Sequence, residues 1–209
     1  MATLHLAQTL LRKAVVAVTY GGQAKPTQRL DKYNASQMYA WFFSGPDVVF
    51  TDPDRESSLS IGAYSNAWFM DQGDFDCVIN CCPTEGVAPH TRVHCLNLAD
   101  TDDVSLDDVR AQLDTALADV RQVLATPRAR VLCHCSMGAS RSVAVAIYLL
   151  CRIYGHAQWG SAKDAFLHYY GTFKRCRPCI NVSVQLMREV CRLLAESDPP
   201  NTPRARLGP

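Results

Sequence analysis

The sequence predicts an α/β domain, with a central, mostly parallel sheet flanked by helices and an N-terminal helical extension. Three observations carry this. Apolar runs of strand length at 75–81 and 130–135 alternate with stretches of helical periodicity, the pattern of a parallel sheet covered by helices. The stretch 142–154 is apolar nearly all round, which marks a central buried helix. Apolar residues make up 48% and charged residues 20%, the balance of a folded chain and not of a disordered one.

The elements follow in order. Leu4, Ala7, Leu10, Leu11, Ala14, Val15 and Val18 recur at three and four, so a helix is expected over 3–18, stopped by Gly21-Gly22. Residues 23–57 carry no clear period; they hold the aromatic cluster Tyr39, Trp41, Phe42 and Phe43, read as core packing. Strands are expected at Leu59–Gly62, Phe75–Cys81, Arg92–Leu98 and Arg130–Cys135. Ser105-Leu-Asp-Asp108 resembles a capping box, with Asp in the Glu place, opening a helix that Pro127 ends. The buried helix 142–154 stops at Gly155, and further helices are expected over 161–170 and 183–196. The chain thus divides into an extension (1–57), a catalytic-size domain (58–195) and a proline-rich tail (196–209) expected to be disordered.

Charge and apolar runs exclude several classes. With 21 basic and 20 acidic residues the net charge is +1, which argues against nucleic acid as a partner. The longest apolar run, Val143–Cys151, falls far short of the roughly 20 residues of a membrane span, so no membrane partner is expected. Arg12 and Lys13 precede only the short run Ala14–Val18, below the ~7–15 residues of a secretory core. A reducing, cytoplasmic or nuclear setting is expected, and most of the ten cysteines are read as free thiols, with Cys77, Cys151 and Cys191 in apolar segments.

The chemistry lies in Val131-Leu-Cys-His-Cys-Ser-Met-Gly-Ala-Ser-Arg-Ser142. A buried strand enters this segment and a buried helix leaves it. Between them Cys135 is followed six residues later by Arg141, with Ser136, Met137, Gly138, Ala139 and Ser140 in the gap. A short loop running into a helix N-terminus turns backbone N–H groups inward as an anion nest, and the helix dipole adds positive charge there. A thiol at its base sits beside donors that favour the thiolate. A guanidinium at its rim offers a planar fork for two phosphate oxygens.

His134-Cys135-Ser-Met-Gly138-Ala-Ser140-Arg141-Ser142 resembles the signature of the cysteine-dependent protein phosphatases, and its Gly-x-Ser-Arg-Ser ending is most similar to the dual-specificity branch. Leu59–Gly62, Val78–Asn80, Leu96–Thr101 and Arg177–Ile180 resemble further segments of that family in the family's order. The resemblance implies that Cys135 attacks phosphorus, forming a phosphocysteine, and that Arg141 binds the phosphoryl oxygens together with the loop 136–140. It implies that Asp100 is the general acid, with Asp102 and Asp103 as alternatives on the same loop. Ser142 would hydrogen-bond the thiolate, and His134 would orient the loop. Phosphotyrosine and phosphoserine or phosphothreonine in proteins are the implied substrates, with no cofactor and no metal. RNA 5′-phosphates, phosphoinositides, or phosphate binding without catalysis are the rival readings. Neutral Ser136, Met137 and Ala139 argue against a highly anionic headgroup. Met137 stands where the family more often has alanine, and Val182-Ser183 replaces the usual Pro-Asn.

Other residues are assigned more plainly. Cys81, Cys82, His90, His94 and Cys95 lack the paired spacing of a zinc site, and the pair Cys176/Cys179 has no second pair. Cys133, Cys81 or Cys82 is a candidate disulfide partner for Cys135 under oxidation. The N-terminal helix is a candidate homodimer contact.

Overall fold

The computed structural model describes residues 40, 44–68, 74–82, 92–99 and 104–197. The expected helix over 3–18, the aromatic cluster Tyr39, Trp41, Phe42 and Phe43, His90, the acidic trio Asp100, Asp102 and Asp103, and the tail from 198 lie outside the described residues.

Five strands form one sheet. They are β1 (Asp47–Thr51), β2 (Ser58–Ala63), β3 (Cys77–Asn80), β4 (Val93–Cys95) and β5 (Arg130–Cys135), in the spatial order β1-β2-β5-β3-β4. β5 pairs in parallel with β2 and with β3, β3 pairs in parallel with β4, and only β1 runs antiparallel, beside β2. The sheet is therefore mostly parallel, and its central strand, β5, is the one that leads into Cys135. Residues alternate in face along β5, as a strand requires: Val131 and Cys133 join the main core, while Leu132 joins a smaller cluster with Val78, Ala67 and Phe75.

β1 was not expected from sequence. Asp52 builds the turn after it, accepting from the N–H groups of Asp54 (2.9 Å) and Arg55 (3.0 Å), an Asx-type turn with Pro53 inside it. Tyr154 donates to the same carboxylate at 2.9 Å, so the turn is tied to the end of the central helix.

The α-helices with a described range are α1 (Tyr64–Trp68), α2 (Arg110–Leu124), α3 (Arg141–Tyr154), α4 (Ala162–Cys176) and α5 (Val184–Ser197). α3 is buried from Arg141 to Cys151, which explains its unbroken apolar sequence, and it packs against α2, α4 and α5. Ala67 of the short α1 joins the smaller cluster on the opposite face. Ser161 and Ser183 start α4 and α5 by accepting from the N–H groups of Asp164 and Leu186, each at 3.1 Å.

The capping box expected at Ser105 is not formed. Ser105 accepts from Asp107 at 3.2 Å, but a 3-10 turn over Asp107–Val109 comes first, so α2 begins at Arg110. Glu189 of α5 instead accepts the Leu106 N–H at 3.2 Å. α4 continues to Cys176, beyond the expected Tyr170, because Phe173 is fully buried and extends its apolar stripe. Gly155 ends α3 in the left-handed region (φ 81°) as expected. No helix among the described residues is long and apolar enough to cross a membrane.

Candidate active site

The expected loop lies between the last residue of β5 and the first of α3. Parallel pairing sets its height: Ala63 sits opposite Cys135, and both Gly62 and Asn80 sit opposite His134. The loop therefore rises from the C-terminal edge of the sheet, where ligands bind in open α/β folds. Gly138 turns the loop in the left-handed region (φ 65°), and a Cβ there would lie 2.6 Å from the Gly62 carbonyl oxygen. Only glycine meets both the conformation and the contact. Ser140 precedes α3 without capping it by its side chain, so no hydroxyl competes for the first N–H groups of the helix.

Cys135 is nearly buried at the floor of the loop (3% exposed). The Ser142 hydroxyl donates to its sulfur at 3.3 Å. Cys133, one turn of the pleat earlier, donates its thiol to the Ser142 carbonyl at 3.2 Å. Arg141 is 1% exposed; its guanidinium donates to the Ser136 hydroxyl at 2.9 Å and to the Leu98 carbonyl at 3.0 Å. The arginine is thus held between the loop and the segment that runs toward Asp100. His134 is fully buried and stands edge-on to Tyr64, with ring centroids 6.0 Å apart. Its carbonyl accepts from the Cys81 N–H at 2.9 Å, which ties β3 to the base of the loop.

The structure brings together Cys135, Ser136, Met137, Gly138, Ala139, Ser140, Arg141 and Ser142 around one loop, with His134 beneath it. The acidic trio lies outside the described residues. Residues 59–195, more than half of the chain, match the family profile "Dual specificity phosphatase, catalytic domain". The chain belongs to the dual-specificity phosphatases. It is accordingly a protein phosphatase of the tyrosine-phosphatase superfamily, a hydrolase whose substrates are phosphorylated proteins.

Solved structures share the fold of this phosphatase domain at low identity. The phosphatase domain of Yvh1 from Chaetomium thermophilum is 18% identical, with a TM-score of 0.57; the match covers 75% of this chain and 99% of that one. The human tyrosine phosphatase-like serine/threonine/tyrosine-interacting protein is 14% identical, with a TM-score of 0.55 and coverage of 73% and 97%. Human DUSP28 is 17% identical, with a TM-score of 0.50 and coverage of 72% and 95%. No curated protein sequence matches the chain.

Other thiols of the phosphatase lie close to the loop. The sulfurs of Cys81 and Cys133 are 3.8 Å apart, and the Cys82 sulfur is 3.7 Å from the Ser136 hydroxyl. Burial pushes the Cys82 thiol up to about 12, and burial together with the Cys133 contact pushes Cys81 well above the usual thiol range. Both are held as neutral packing groups. No three metal-ligating side chains converge among the described residues.

Sequence reasoning placed Arg177 in a family-like segment without giving it a role, and missed Asp47. Arg177, in the loop after α4, reaches the loop's outer side, donating to the carbonyls of Gly138 (3.0 Å) and Met137 (3.1 Å). Asp47 on β1 pairs with it at 2.6 Å. The signal for Arg177 was the resemblance of Arg177–Ile180 to the family's late loop; Asp47 carried none.

Proposed function

We propose that this phosphatase hydrolyses phosphotyrosine and phosphoserine or phosphothreonine in proteins through a phosphocysteine on Cys135. The observation that carries the reading is the Cys135 sulfur under the Ser142 hydroxyl, on a loop whose buried arginine also faces the segment leading to Asp100. The Cys135 thiolate attacks phosphorus, the phosphorus–oxygen bond to the leaving group breaks, and Asp100 protonates the departing oxygen. Arg141 and the loop amides hold the three equatorial oxygens in the transition state, a preorganised electrostatic role. In the second step water attacks phosphorus, Asp100 takes its proton, and the sulfur leaves as a thiolate held by Ser142.

The test is turnover of an aryl phosphate and of phosphotyrosine, phosphoserine and phosphothreonine peptides in EDTA, with Cys135→Ser as control. Acid quench during turnover should leave phosphate on the peptide that contains Cys135. A wild type as inactive as Cys135→Ser would reduce the domain to a phosphate-binding module. We also propose a cytoplasmic or nuclear setting and a homodimer through the apolar stripe at 3–18; light scattering on chains with and without residues 1–20 tests the dimer, and equal monomeric masses refute it.

A further inference from the structure

We propose that Arg177 is a positioning residue for the phosphatase reaction: anchored by Asp47, it draws two loop carbonyls outward and so turns the next two amides toward the phosphate. The inference rests on the phosphatase reading of the loop. It begins from the peptide unit, which is planar and trans, so that the C=O of one residue and the N–H of the next point in opposite directions. None of the described peptides is cis. A carbonyl fastened from outside the loop therefore aims the following amide inside.

Every carbonyl from Ser136 to Ser140 is fastened in this way. Tyr64 N–H donates to Ser136 (3.3 Å), Asn181 N–H donates to Ala139 (2.8 Å), and Ala144 N–H donates to Ser140 (3.0 Å). The two between them, Met137 and Gly138, depend on one side chain: Arg177 donates through Nη2 to Met137 and through Nε to Gly138. The amides so aimed belong to Gly138 and Ala139, the middle of the nest and the part farthest from the fixed strand and helix.

The guanidinium is built for this task. Its side chain is 3% exposed, and its remaining nitrogen, Nη1, donates to Asp47 at 2.6 Å and to the Ser44 hydroxyl at 3.4 Å. The planar fork offers donors at fixed angles, which one lysine ammonium on a flexible stem does not. A Cβ on Gly138 would also lie 3.1 Å from Arg177 Nε, so the loop and the arginine are fitted to each other.

The experiment compares the full-length wild type with Arg177→Lys, Arg177→Met and Asp47→Asn. It reads the melting temperature, tungstate affinity, the pH profile of Cys135 alkylation by iodoacetamide, and kcat and KM for an aryl phosphate. In Arg177→Lys and Arg177→Met we expect tungstate affinity and kcat/KM to fall about tenfold or more, the weight of a charge-assisted hydrogen bond. The alkylation profile should move to higher pH. Asp47→Asn should shift the same readouts in the same direction by a smaller factor. Variants that melt lower yet bind tungstate and alkylate as the wild type does would overturn the proposal, leaving Arg177 a structural brace. If Arg177→Met does not fold, Arg177→Lys and Asp47→Asn decide by the same criterion. Tungstate binding and alkylation need no turnover. An inactive wild type with these shifts present would sink the phosphatase reading alone, and an active wild type with the shifts absent would sink the positioning role alone.

Discussion

Ser142 donates its hydroxyl to the Cys135 sulfur across 3.3 Å, from the first turn of the helix that follows the loop. Ser142 is itself fully buried and its carbonyl is held by Cys133, so the hydroxyl has little freedom to turn away. The bond stabilises sulfur most when sulfur is an anion, which in the proposed mechanism is the nucleophile of the first step and the leaving group of the second.

Ser142→Ala should therefore slow breakdown of the phosphocysteine more than its formation. A hydrogen bond to a charged group contributes about 1.5–3 kcal/mol, so kcat should fall roughly 10- to 100-fold. Stopped-flow turnover of an aryl phosphate should show a larger burst of phenol than the wild type gives. An unchanged kcat with no larger burst would remove Ser142 from the second step.

Gly138→Ala asks for a left-handed alanine whose Cβ meets a backbone oxygen at 2.6 Å. The conformation alone costs roughly 1–2 kcal/mol. The contact is with backbone, which has no rotamer to escape into, so the loop must shift. Tungstate affinity should drop together with the melting temperature. Wild-type affinity in this variant would mean that the nest tolerates displacement.

Asp100 follows in sequence two residues after Leu98, whose carbonyl accepts from Arg141. Asp100→Asn should lower kcat by about 10²–10⁴, the usual contribution of a positioned acid, and most for poor leaving groups such as phosphoserine. The acidic limb of the pH–rate profile should persist while the basic limb flattens. A variant with wild-type kcat would shift the role to Asp102 or Asp103.

Stability should fall in alkali. Burial pushes the thiols of Cys77, Cys82 and Cys151 up to about 12, against an ordinary value of 9.0. From pH 9 upward the unfolded chain releases these protons and the folded chain keeps them. The contribution is complete below the unfolded value and is lost as pH rises toward the folded one. The slope is about 1.4 kcal/mol per pH unit for each thiol. Tyr148, Tyr154 and Tyr169, raised by burial, add the same sign at higher pH. Urea unfolding in reductant at about pH 7.5, 9 and 10 measures this, and a flat profile would contradict it.

The parts of this phosphatase legible in the sequence are those with a strong local period. β5 from Val131 to Cys135 and α3 from Arg141 to Cys151 are buried, so nearly every residue reports the same environment and the segments read as largely apolar. The loop between them is legible because its small residues, cysteine and arginine are contiguous. β1 escaped because it is an edge strand with an antiparallel partner and a burial pattern of only one buried residue in five. The five residues of α1 are too few to show a period. The pairing of Arg177 with Asp47 escaped for another reason: the two are 130 positions apart and meet only through the tertiary fold. A tertiary ion pair leaves no trace in local spacing.

The central position of β5 has a consequence for how the protein loses function. Local opening is cheapest at edges and costs the full unfolding free energy in central strands. Cys135 ends the strand bordered by β2 and β3, so the amides of 131–135 should be among the last to take up deuterium. Heat inactivation would then coincide with collapse of the whole molecule, and surviving turnover would count the native fraction directly.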